Sequence, residues 1–150
     1  MRVLVTGANG YVGGRLVPQL LDRGHTVRCM VRDPSRLEGR AWASRVEIVR
    51  GDVLDAASLV AAVADIEVAY YLVHSLGAGA DFHDRDLRAA RAFGEAAKAA
   101  GVTRLIYLGG LGEPGAALSE HLRSRHDTGA ALGEAGVPVT EFRAAVIVGS

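Results

Sequence analysis

The chain has 150 residues, 49% of them apolar, enough for one globular domain with its own core and too few for two ordinary ones. Lys and Arg together number 17, as do Asp and Glu, so no net charge draws the chain to nucleic acid or to an anionic membrane, and neither is expected as a partner. The single cysteine, Cys29, excludes an internal disulfide and argues against a cysteine-based metal site; with no signal-like leader and no run of about 18 apolar residues, a cytoplasmic chain without metal is expected.

In chain order, short runs rich in Val, Ile and Leu recur at 3–6, 26–31, 46–49, 68–73, 104–108 and 139–148. Each is of strand length or contains a strand-length core. Helices are expected between them at about 11–23, 55–64, 82–100 and 118–135. The alternation predicts parallel strands joined by helical crossovers. The expected fold is a doubly wound α/β sheet in three αβα layers, six strands in the order 3-2-1-4-5-6, formed as one domain over residues 1–150. Gly24, Gly101 and Gly136 each stand after a helical stretch and before a strand, where a left-handed cap belongs. The stretches 77–80 and 109–117 follow the fourth and fifth strands, at the end of the sheet where such folds bind ligands.

The strongest motif is Thr6-Gly7-Ala8-Asn9-Gly10-Tyr11-Val12-Gly13, entered from a strand and left by a helix. Gly7 permits the tight turn, Gly10 lets a pyrophosphate approach the backbone, and Gly13 lets helix pack closely on strand. The helix start offers amides and a positive dipole end to the phosphates, so Gly7, Asn9, Gly10, Tyr11, Val12 and Gly13 are candidate cofactor contacts. With this spacing after Thr6, the runs VLVTGANGYVGGRLV, GHTVRCMVRDP, VRGDVLD and AGVTRLIYLGGLG resemble the extended and atypical short-chain dehydrogenase/reductase superfamily, in its NAD(P)H-binding, NmrA-like branch. The resemblance implies a Rossmann fold and a nicotinamide dinucleotide partner. It also implies a smaller C-terminal part that shapes the substrate pocket and is expected to be absent from these 150 residues, so the small-molecule substrate stays unidentified.

The residue after the second strand is Arg32, whose guanidinium suits the 2′-phosphate of NADP(H); Asp33 follows, which keeps NAD(H) open behind the preferred NADP(H). The resemblance places Asp52 and the amide of Val53 against the adenine, although Asp52 also reads as a turn carboxylate. It further places the backbone at Val73, and His74, beside the cofactor on the nicotinamide side; a loop histidine bonded to its neighbours is an equal reading of His74.

Members of the superfamily commonly use a Tyr-x-x-x-Lys pair, and this chain has none. At the corresponding place stand His121 and Arg125, with the same four-residue spacing and hence on one helix face. On a wheel of about 100° per residue, Leu118, Leu122, Gly129 and Leu132 form an inward stripe containing Arg125, with His121 at its edge. Arg125 is therefore either a ribose ligand in the Lys role or a snorkelling side chain, and His121 is the candidate proton carrier. Gly109 and Gly110 bring backbone to the nicotinamide but supply no hydroxyl, and Ala92 stands where similar sequences often carry Asn. Ser119 reads as a helix N-cap. Two functions follow: an NADP(H)-dependent oxidoreductase or epimerase-like enzyme with a variant His121/Arg125 site, or a non-catalytic dinucleotide-binding redox sensor or scaffold.

Overall fold

A computed structural model describes residues 1–73, 82–112, 119–145, 147 and 148. The sheet has six parallel strands: β1 (Arg2–Thr6), β2 (Thr26–Val31), β3 (Glu47–Arg50), β4 (Val68–Tyr71), β5 (Arg104–Gly110) and β6 (Val139–Ala144). Their order is β3-β2-β1-β4-β5-β6, the expected doubly wound order. The helices are α1 (Tyr11–Asp22), α2 (Ala56–Val63), α3 (Phe82–Ala99) and α4 (Glu120–Gly133). Two 3₁₀ turns, Pro34–Leu37 and Ala43–Arg45, fill the link from β2 to β3. No helix among the described residues is long and apolar enough to cross a membrane.

Burial divides into two cores. Leu59, Phe93, Ala97, Leu105 and Leu132 join α2, α3 and α4 to one face of the sheet. Val3, Val17, Val27, Leu37 and Trp42 join α1 and the β2–β3 link to the other, which completes three layers. Cys29 lies fully buried in this second core, and burial pushes its thiol up to about 12. The edge strands β3 and β6 keep exposed side chains, Phe142 at 59% among them.

Gly24, Gly101 and Gly136 all take positive φ, near 80°, as caps require. The link from α2 to β4 has no glycine, and Asp65 takes the left-handed conformation there at φ 57°. Side chains cap the expected helix starts: Asp55 accepts from Ala57 N at 3.1 Å, and Ser119 from Leu122 N at 3.4 Å. β4 ends at Tyr71, earlier than the apolar run to 73 suggests, because a side chain replaces the ladder. The Thr6 hydroxyl donates to the Tyr70 carbonyl at 3.0 Å and accepts from Leu72 N at 3.1 Å. The apolar run 139–148 contains β6, which ends at Ala144.

Arg28 interrupts the apolar pattern of β2 and is 7% exposed. Its Nη1 donates to the carbonyls of Ala61, Ala62 and Ala64 at 3.2, 2.9 and 2.8 Å, and its Nε lies 2.9 Å from a Glu47 carboxylate oxygen. A buried cation thus caps the C-terminus of α2, where dipole and orphan carbonyls both favour it.

Candidate dinucleotide site

β1 runs into Gly7, which turns at φ 72°. Gly10 N donates to Gly7 O at 3.0 Å, closing the turn, and Gly14 N to Gly10 O at 2.9 Å, opening α1. No side chain caps this helix start and no acidic residue stands in its first turn, so its positive end is uncompensated.

The three glycines of the motif are required by different neighbours. A Cβ on Gly7 would meet the Leu72 carbonyl oxygen at 2.8 Å. One on Gly13 would overlap the Gly7 carbonyl and stand 2.8 Å from the Ala8 Cα, so Gly13 seats the helix on the turn itself rather than on the strand. A Cβ on Gly10 would meet the Gly7 carbonyl oxygen at 3.2 Å and is otherwise in open space. The fold itself fills the room at Gly7 and Gly13, whereas at Gly10 it is left free for something outside the chain.

Two cavities flank the turn and share Gly7, Tyr71 and Val73. The first, about 660 Å³, is bordered by Asn9, Arg32, Asp52 and Val53. The second, about 560 Å³, is bordered by Gly10, Tyr11, Val12, Gly13, Gly109 and Arg125. His74 lies outside the described residues. His121 is exposed and borders neither cavity; its ring stands 5.6 Å from that of Phe82 at the start of α3.

At the first cavity Arg32 is exposed, while Asp33 is occupied in its own turn. Asp33 accepts from the Ser35 hydroxyl at 2.7 Å and from Ser35 N at 3.1 Å, bonds that hold its carboxyl below the usual range. Asp52 has a turn role as well as a place on the wall, because one of its oxygens accepts from Leu54 N at 3.0 Å. Three charged wall residues escape sequence reasoning: Arg36, Arg85 and Asp86. Arg36 recurs four residues after Arg32, a weak signal. Arg85 and Asp86 open α3, and no local pattern says that its first turns overlook the cleft.

At the second cavity α4 is rotated from the expected wheel. Its buried residues are Ser124, Thr128, Ala131 and Leu132. The cause is close packing on α3, where a Cβ on Gly94 would meet the Leu132 carbonyl oxygen at 2.6 Å. Arg125 consequently stands half-buried on the flank of that face, opening on the cavity. Its main-chain carbonyl accepts from the Tyr107 hydroxyl at 3.1 Å. Burial pushes the Tyr107 phenol up to about 12, the Arg125 charge opposing and Glu141 and Asp86 assisting. Tyr71 packs edge-on against Phe93 at 5.1 Å and is raised by burial too, so both phenols are neutral donors. Behind Gly109, the Glu141 carboxylate fills the space a side chain would take. Its Oε2 pairs with Arg143 at 3.0 Å, and its Oε1 is buried without a hydrogen-bond partner among the described residues. Position 109 therefore lacks a hydroxyl, and a side chain there would displace the Glu141 carboxylate.

Cinnamoyl-CoA reductase 1 of Oryza sativa subsp. japonica is 34% identical over 116 residues, 73% of this chain and 34% of that protein. The triphenylmethane reductase of Citrobacter sp. complexed with NADP(H) has a TM-score of 0.78 at 22% identity, over 97% of this chain and 50% of that one. The Bordetella bronchiseptica enzyme WbmH in complex with NAD+ has a TM-score of 0.79 at 22% identity, over 99% of this chain and 56% of that one. The chain thus spans about a third of the rice reductase and about half of the two solved chains. The NAD(P)H-binding family model matches residues 7–132, nearly the whole Rossmann unit from glycine turn to α4, and the chain belongs to that family.

Proposed function

We propose that this chain is the dinucleotide-binding domain of an atypical short-chain dehydrogenase/reductase, holding NADP(H) in preference to NAD(H) and serving an oxidoreductase or epimerase-like reaction at a variant site. The observation that carries the reading is the open space above Gly10 at an uncapped helix start, between two cavities of nucleotide size. The cofactor's adenosine half belongs in the cavity of Arg32, Asp52 and Val53. Its nicotinamide, which supplies or takes the hydride, belongs in that of Gly109 and Arg125. Calorimetric titration with NADPH and NADH tests the reading; absence of binding to both would end it.

The preference for NADP(H) rests on an exposed guanidinium at Arg32 beside an Asp33 already engaged by Ser35. Arg32→Ala is expected to weaken NADPH binding by about ten- to a hundredfold, the worth of one charge-assisted contact, and to leave NADH binding nearly unchanged. An equal change for both cofactors would remove the basis for the preference.

Arg125 is proposed to hold the nicotinamide-side ribose, and His121, at the outer end of the same helix, to carry a proton on the substrate side. Arg125→Ala should weaken both cofactors alike. His121→Ala should leave cofactor affinity intact and, in an enzyme, lower turnover by about 10²–10⁴-fold. The filled space behind Gly109, and the position of His121 outside both cavities, favour a second reading as a dinucleotide-responsive sensor. In that case His121→Ala leaves every hydride-transfer signal where it was.

A further inference from the structure

The first cavity has one wall for which neither the glycine turn nor the strand ends account. Arg85 is on the second turn of α3 and borders this cavity beside Asp86, whereas the other cations near the site stand elsewhere in it. Arg36 lies 4.0 Å from Asp33 at the end of β2, and Arg40 donates to the Asn9 carbonyl at 3.4 Å. Further along α3, Arg91 is committed to Glu134 at 2.7 Å. Arg85 is exposed and makes no hydrogen bond or ion pair among the described residues. The same cavity presents apolar surface at Met30, Val53 and Leu54, and Leu54 is 45% exposed although it is a leucine. A planar cation without a partner among the described residues and uncovered aliphatic surface on one cavity suit a flat, uncharged, π-rich ring.

The geometry points to Arg85 as a lid on the adenine: its guanidinium lies over the base, which rests on the aliphatic surface of Val53 and Leu54. This rests on the reading that the first cavity takes the adenosine half of the cofactor. Arg85 is then an affinity determinant shared by NADH and NADPH, distinct from Arg32, which answers to the phosphate that one of them carries.

The test is calorimetric titration of the wild-type chain and three variants with NADH and with NADPH. Arg85→Ala should weaken both cofactors by the same factor, about 3- to 30-fold, the worth of a cation–π contact. Arg85→Phe, which stacks but has no charge, should bind within about threefold of wild type. Arg85→Lys, which keeps the charge and loses the plane, should recover little. Rescue by lysine and not by phenylalanine, or a loss confined to NADPH, would make Arg85 a phosphate ligand and overturn the inference. Equal affinities of wild type and Arg85→Ala would overturn it too, while leaving the cofactor reading intact. If the wild-type chain binds neither dinucleotide, the cofactor reading fails and the inference fails with it.

Discussion

Gly10→Val is expected to reduce NADPH and NADH binding by at least about a hundredfold while the domain stays folded. The backbone at Gly10 is extended, φ −78° and ψ 175°, a conformation that valine adopts readily. The added Cβ meets nothing of the protein closer than the Gly7 carbonyl oxygen at 3.2 Å. The branched side chain therefore projects into the space left beside the first turn of α1. A pyrophosphate there gives up several charge-assisted contacts with backbone amides, each worth about 1.5–3 kcal/mol. Thermal melting followed by circular dichroism should give a midpoint within a few degrees of wild type, and calorimetry should show the loss of binding. Undiminished affinity in the folded variant would mean that the dinucleotide does not lie on this turn. Gly13→Ala is the informative contrast, since that methyl overlaps the turn itself and should lower stability before it affects binding.

Arg28→Leu should have the largest effect on stability, a loss of about 2–4 kcal/mol, because the orphaned carbonyls at the end of α2 lose a charged donor at once. Leucine restores apolar volume but donates nothing, and Glu47, itself half-exposed, keeps solvent and the Arg2 guanidinium at 3.6 Å. For a domain of this size the melting midpoint should fall by roughly 5–15 °C. Urea unfolding with an unchanged denaturant slope is the cleaner measurement; a shift below about 0.5 kcal/mol would show that water replaces the guanidinium at no cost. Arg28 borders neither cavity, so cofactor affinity of the folded fraction should hold.

The fold was legible because buried parallel strands must be continuous apolar runs, and the helices between them end on glycines that no other residue replaces cheaply. Where a different residue does the same work the pattern carries no signal: Asp65 adopts the left-handed turn that Gly24, Gly101 and Gly136 advertise. Arg28 carries no signal of its role in the sequence, since nothing local says that the carbonyls of Ala61–Ala64 lie across from it. The site divides the same way. The glycine turn is written in consecutive residues, and Arg32, Asp52 and Val53 stand at strand ends, so the sheet order alone collects them on one edge. Arg85, Asp86 and Glu141 reach the cleft or its floor through the packing of α3 and the pairing of β6 with β5, in which Tyr107 faces Glu141. The face that α4 buries differs from its wheel for a related reason: the helix answers to a neighbouring helix as well as to the sheet, and the close contact between Gly94 and Leu132 turns it toward α3.

The sulfur buried in the second core bears on what kind of signal this chain can carry. Proteins that respond to oxidants through cysteine do so at an accessible thiolate, which forms a sulfenic acid or a mixed disulfide. Cys29 is the only thiol in these 150 residues, is sealed from solvent behind α1 and the β2–β3 link, and stays protonated with its titration pushed up to about 12. Peroxide and glutathione therefore find no reactive thiol on the folded domain, because the one cysteine is buried. On the proposed reading, a redox state reaches this chain as the ratio of oxidised to reduced dinucleotide in its cleft, and its thiol stays silent.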